Sequence, residues 1–110
     1  MTSVSEKVTA LVRTMCATDE YRTYKRLQRQ LDKDEDLKRR VDEYRAERFA
    51  AGQVADNLMD RMDEVRRRHD DLLSMPGVRA YLDAENAVCR MIREVYSTIS
   101  AEVAVTLPGE

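Results

Sequence analysis

A single histidine, His69, is the only imidazole in the chain, so a two-histidine metal site is excluded, and no HExxH sequence is present. Carboxylates are plentiful, and Asp60, Asp63 and Glu64, or Asp70 and Asp71, would be the first choice as metal ligands. They lie among Arg61, Arg66, Arg67 and Arg68, so ion pairs three and four residues apart account for them more simply. The Glu-x-x-His spacing of di-iron bundles does not occur, and the three glycines are isolated, so no phosphate loop exists. Cys16 and Cys89 show no metal-type spacing and read as two reduced thiols. No nucleophile, base and orienting group converge, and we expect no enzyme, no catalytic residue, no metal and no cofactor.

The basic clusters Arg39-Arg40 and Arg66-Arg67-Arg68 are diluted by acidic neighbours, and consecutive helical residues point about 100° apart. With 19 basic and 21 acidic residues the formal charge is −2, which calls neither for nucleic acid nor for an anionic membrane. Direct nucleic-acid binding is therefore not expected, though it stands as the alternative function class beside a metal or iron–sulfur subunit.

The elements that would position these groups are helices. Charged residues make up 36% of the chain and hydrophobic ones 43%, with three Gly and two Pro, a composition of long amphipathic helices. Ser3 and Glu6 stand in capping-box spacing, and Val4, Val8, Leu11 and Met15 follow on one face. Thr18 or Asp19 can cap a second helix carrying Tyr21, Tyr24, Leu27, Gln28 and Leu31, which leaves open a break or a bend near Thr18. Residues 3–33 thus form a helical arm.

Asp34-Glu35-Asp36 is the next start signal. From there a 4-3 alternation runs through Leu37, Val41, Tyr44, Arg48, Ala51, Ala55, Leu58, Met62, Val65, His69 and Leu72. Such spacing keeps a stripe facing a partner helix and predicts one long helix over 34–73, roughly 55 Å from Leu37 to Leu73 if unbroken. Gly52 is the position where it would weaken or bend. Ser74-Met75-Pro76-Gly77 punctuates the chain, with Pro76 suited to a first helical turn. The last helix is expected over 77–104, with the seam Val78, Leu82, Glu85, Cys89, Ile92, Tyr96, Ile99 and Val103, and 105–110 as a tail. The short turn makes the two long helices antiparallel neighbours in one all-α domain, a hairpin that assembles into a helical-bundle oligomer. Seam and interface are assigned together to Leu37, Val41, Tyr44, Arg48, Leu58, Met62, Val65, His69, Val78, Leu82, Glu85, Ile92, Tyr96 and Ile99. His69 reads as a packed or hydrogen-bonded residue; Glu85 either pairs with a basic residue of another helix, Arg48 being a geometrically conceivable partner if Gly52 leaves the register intact, or sits at an open edge of the bundle. The N-terminal residues have no basic or apolar segment of a signal peptide, and no apolar run reaches membrane-spanning length, so a cytoplasmic protein is expected.

These landmarks resemble one family. They are Asp19-Glu20-Tyr21-Arg22 with Tyr24-Lys25 and Leu27, then Asp34-Glu35-Asp36-Leu37, then Val78 with Tyr81-Leu82-Asp83-Ala84-Glu85-Asn86, and Ile92, Glu94-Val95 and Ile99 at the end. The order resembles the YlbF/YmcA family of bacterial regulators, which includes YheA-like proteins. The resemblance implies an all-helical cytosolic adaptor that assembles with itself or with related subunits. It also implies a role in a complex supporting messenger-RNA maturation by an endoribonuclease. Some members contribute tail cysteines to iron–sulfur clusters; the tail Thr106-Leu107-Pro108-Gly109-Glu110 has none, so that cluster is not carried over. The usual Asp-Pro-Glu opening of the long helix reads Asp34-Glu35-Asp36.

Overall fold

Local capping sets the first three helix starts. In the computed structural model, which describes residues 3–54 and 56–103, Ser3 is extended and its hydroxyl accepts the Glu6 N–H at 3.1 Å. This caps α1 (Val4–Cys16). Thr18 then donates its hydroxyl to the Met15 carbonyl at 2.7 Å and accepts the Tyr21 N–H at 3.3 Å. One hydroxyl therefore closes α1 and opens α2 (Asp19–Asp32), and the junction left open by the sequence is a break. Asp34, also extended, accepts the Leu37 N–H at 3.0 Å and caps α3 (Glu35–Gly52). Glu35 and Asp36 lie in its first turn, against the positive end of the helix dipole.

The single helix expected over 34–73 is corrected here to three: α3, α4 (Leu58–Arg68) and α5 (Asp70–Leu73). Glycine is a poor helix residue, and α3 ends on Gly52, with the Gln53 N–H turned back onto the Ala50 and Ala51 carbonyls. Asn57 then takes a left-handed conformation, φ 56° and ψ 38°, which asparagine tolerates better than most residues. The chain reverses, and α3 and α4 pack against each other. A second, smaller interruption falls at His69, φ −112° and ψ 22°, between α4 and α5. The 4-3 spacing thus counts through a loop and is not one continuous stripe, and the register that would have set Arg48 opposite Glu85 is lost. Ala55 lies outside the described residues, as do Ala104 and the tail 105–110.

α6 (Pro76–Val103) follows, with Pro76 in its first position as expected. The six helices make the fold all-α, and among the described residues there is no strand. No described helix is long and apolar enough to cross a membrane.

The chain divides into two compact units: Met1–Tyr24 with Asp83–Glu110, and Lys25–Leu82. The second holds nearly all the core. Leu31, Val41, Tyr44, Val65, Leu72, Val78 and Tyr81 are buried there, with Val78 at 0% and Val41 and Leu72 at 1% exposure. Full burial of each such aliphatic side chain contributes about 1.5–3 kcal/mol. In the first unit the buried hydrophobic residue among those described is Ala84 alone, and α1 buries none.

A polar cluster ties the α3–α4 hairpin. Glu47 on α3 accepts the Nε2 proton of His69 with one carboxylate oxygen and pairs with the Arg68 guanidinium at 3.0 Å with the other. The Tyr44 ring meets the imidazole edge-on at 5.3 Å. His69 is therefore packed and hydrogen-bonded at once, 17% exposed. Glu47→Ala should lower stability by about 1–2 kcal/mol in urea unfolding, because the imidazole loses its acceptor, whereas Arg68→Ala, at a half-exposed pair, should cost less than about 1 kcal/mol. At Asn57 we expect Asn57→Gly to be tolerated and Asn57→Val to cost about 1–2 kcal/mol, measured in the same way.

Candidate interaction surface

Large apolar side chains are exposed in both units, Phe49 and Met59 in the second among them, but in the first they form rows along helices. On α1, Val4, Val8 and Leu11 recur at steps of 4 and 3 with Val12 beside them, at 81, 52, 36 and 50% exposure. On α6, Ile92, Tyr96, Ile99 and Val103 recur at 4-3-4 steps, at 51, 46, 52 and 62% exposure. Apolar residues scattered singly on a surface mean little, but two helical rows of them mark a contact surface. These eight side chains, about half exposed, would release roughly 1 kcal/mol each on burial. Association costs on the order of 4–15 kcal/mol in lost freedom. Neither row alone would meet that cost comfortably, whereas both together come within its range.

Several contacts hold this unit's own elements. The Thr18 hydroxyl lies 3.9 Å from the Met91 sulfur, and Glu20 lines a shallow groove with Ala87, Arg90, Met91 and Glu94. Tyr21 and Tyr24 meet with ring centroids 6.3 Å apart. The neighbouring Cys16 thiol, mainly through its charge when ionised, pushes the Tyr21 phenol above its ordinary value, helped by desolvation and by the hydrogen bond between the two groups. Both cysteines are free. Among the described residues no group of three or more His, Cys, Asp or Glu side chains is placed to hold a metal ion.

The residues assigned to the seam separate into two sets. Val41, Tyr44, Val65 and Val78 are buried, Leu37, Met62 and His69 are half-buried, and all seven belong to the unit Lys25–Leu82. Leu82 and Glu85 are half-buried on α6, whereas Ile92, Tyr96 and Ile99 are exposed on its later turns. Arg48 and Leu58, flanking the reversal, are exposed. Arg39 forms an exposed pair of bridges to Asp36 at 2.7 Å and Glu43 at 2.6 Å, which hold the Asp36 carboxyl below its ordinary value and raise Arg39.

Sequence reasoning missed Glu47, the acceptor for His69, because a continuous helix keeps residues 22 apart from meeting. It also left Val4, Val8, Leu11 and Val12 out of the interface. Helical spacing places such residues on one face, but not whether another part of the chain covers it; among the described residues they are exposed.

Residues 4–104 match the family model described as control of competence regulator ComK, YlbF/YmcA. No curated protein and no solved structure matches the chain. The matched span runs from the first residue of α1 to the end of α6 and includes every landmark that carries the resemblance, from Asp19 to Ile99. The chain belongs to the YlbF/YmcA family of competence-control regulators.

Proposed function

We propose that this regulator is a non-enzymatic adaptor that works in the cytoplasm through helix-mediated protein–protein contacts made by the open rows of α1 and α6. The occupant of those rows is a second copy of the chain or a related family member, in a dimer or larger assembly. The observation that carries this reading is α1: a helix of 13 residues with no buried residue and an apolar face in water. Isolated helices of that length are marginal, and their stability in proteins comes from packing the apolar face. In the role that family membership suggests, the assembly supports messenger-RNA maturation by an endoribonuclease and uses no cofactor of its own.

Light scattering on the purified full chain at micromolar concentration should give a dimer or larger species. Ile92→Glu with Ile99→Glu should shift it to a monomer that keeps most of its helical circular dichroism, since both residues are already about half exposed. A wild-type chain that is a stable, folded monomer would sink the proposal. Affinity capture from native cytosol, read by mass spectrometry, should recover related subunits or an endoribonuclease with the wild type and lose them with the double variant.

A further inference from the structure

The row on α1 and the row on the late turns of α6 have the same spacing when they are read in opposite directions. From the start of α1, Val4, Val8 and Leu11 stand at steps of 4 and 3, and Met15 follows 4 residues on. Counted backward from the end of α6, Val103, Ile99, Tyr96 and Ile92 stand at steps of 4, 3 and 4. An antiparallel pairing of two such helices sets Val4 opposite Val103, Val8 opposite Ile99 and Leu11 opposite Tyr96, with Met15 closing on Ile92. All of these but Met15 are exposed in the single chain, so α1 does not cover α6 of its own chain in this register.

We infer that α1 of one copy packs antiparallel along the late turns of α6 of a second copy, and reciprocally, in a two-fold dimer. The inference rests on the assembly proposed above and fixes its occupant, its direction and its register. The residues beside the seam suit this register. Lys7 of α1 and Glu102 of α6 fall on the same flank, so opposite charges meet at its edge. Arg93 falls on the other flank, beside Val12 and away from Lys7. The helix ends agree. Glu102 stands in the last turn of α6, at the negative end of the helix dipole, and that turn holds no basic residue. The antiparallel pairing brings the positive end of α1 there, together with Lys7. Pairing α6 with α6 of the second copy does less: in its antiparallel register Glu102 meets Val95, and both α1 rows stay open. The reciprocal α1–α6 pairing buries both rows of both copies and closes on itself.

The test uses the full chain carrying Cys16→Ser and Cys89→Ser, so that introduced thiols are the only ones. Val8→Cys protein is mixed with a size-tagged Ile99→Cys protein and oxidised. We expect a disulfide between the two, because opposed seam residues come within disulfide reach. Val4→Cys mixed with Ile92→Cys should not link: they meet only in a parallel register, and in the antiparallel one roughly 16 Å of helix separates them. With Val8→Cys and Ile99→Cys in one chain, a covalent dimer is expected. In the chain with its native cysteines, Lys7→Glu or Glu102→Lys alone should weaken dimerisation about two- to fivefold, and the two together should restore it. A link between Val4→Cys and Ile92→Cys overturns the inference. So does Ile99→Cys protein linking to itself in place of Val8→Cys, an intrachain link in the doubly substituted chain, or no Val8–Ile99 link in an assembled protein. If the cysteine-free background does not assemble, the charge pair decides: single reversals without effect, or a double reversal without rescue, overturn it. A monomeric wild type overturns the assembly and this inference together, whereas a wild-type dimer with the wrong links overturns this inference alone.

Discussion

A left-handed residue is costly for most side chains, on the order of 1–2 kcal/mol, and cheap for asparagine or glycine. Asn57 occupies that conformation five residues after α3 ends, and the reversal it allows brings α4 back along α3. Much in the unit Lys25–Leu82 depends on this. The reversal is what lets Val65 on α4 join Val41 and Tyr44 of α3 in the core of that unit. It also brings the Glu47 carboxylate to Arg68 and His69. A straight helix through 34–73 would have kept these groups on separate turns and left a long stripe with too little chain to cover it.

The distribution of apolar surface follows. The unit Lys25–Leu82 buries Val41, Val65, Leu72 and Val78, while Phe49 and Met59, on either side of the reversal, stay open. The other leaves Val4, Val8, Ile92 and Ile99 at or above half exposure around one buried alanine, Ala84. The core is thus thick in one unit and thin in the other. The groups that do carry charge are mostly on the surface, in bridges such as Arg39 with Asp36 that add modestly to stability.

How much of this could be read beforehand depends on how local each feature is. Ser3, Thr18, Asp34 and Pro76 were readable as helix starts because a cap needs only its own turn. The all-α class followed from the same periodicity. The reversal was not readable, because a five-residue connection happened to preserve the 4-3 count from Ala51 to Leu58 while rotating everything after it. Gly52 by itself signals only a weak point in a helix; the reversal is signalled by Gly52 and Asn57 together. Glu47 was invisible for the same reason: its partners are tertiary. The seam position of His69 suggested a packed or hydrogen-bonded imidazole, and the ring indeed has both an acceptor and an aromatic neighbour.

α6 runs unbroken from Pro76 to Val103. Its early turns contain Val78 and Tyr81, which are among the most buried residues of the chain, and its late turns carry Ile92, Ile99 and Val103 in the open. Helix formation is expensive to nucleate and inexpensive to extend. Once the early turns are seeded by burial, the late ones inherit a rigid template before any partner arrives. A face grown out of a core helix is ordered beforehand, so anything that met it would cost the chain little conformational entropy.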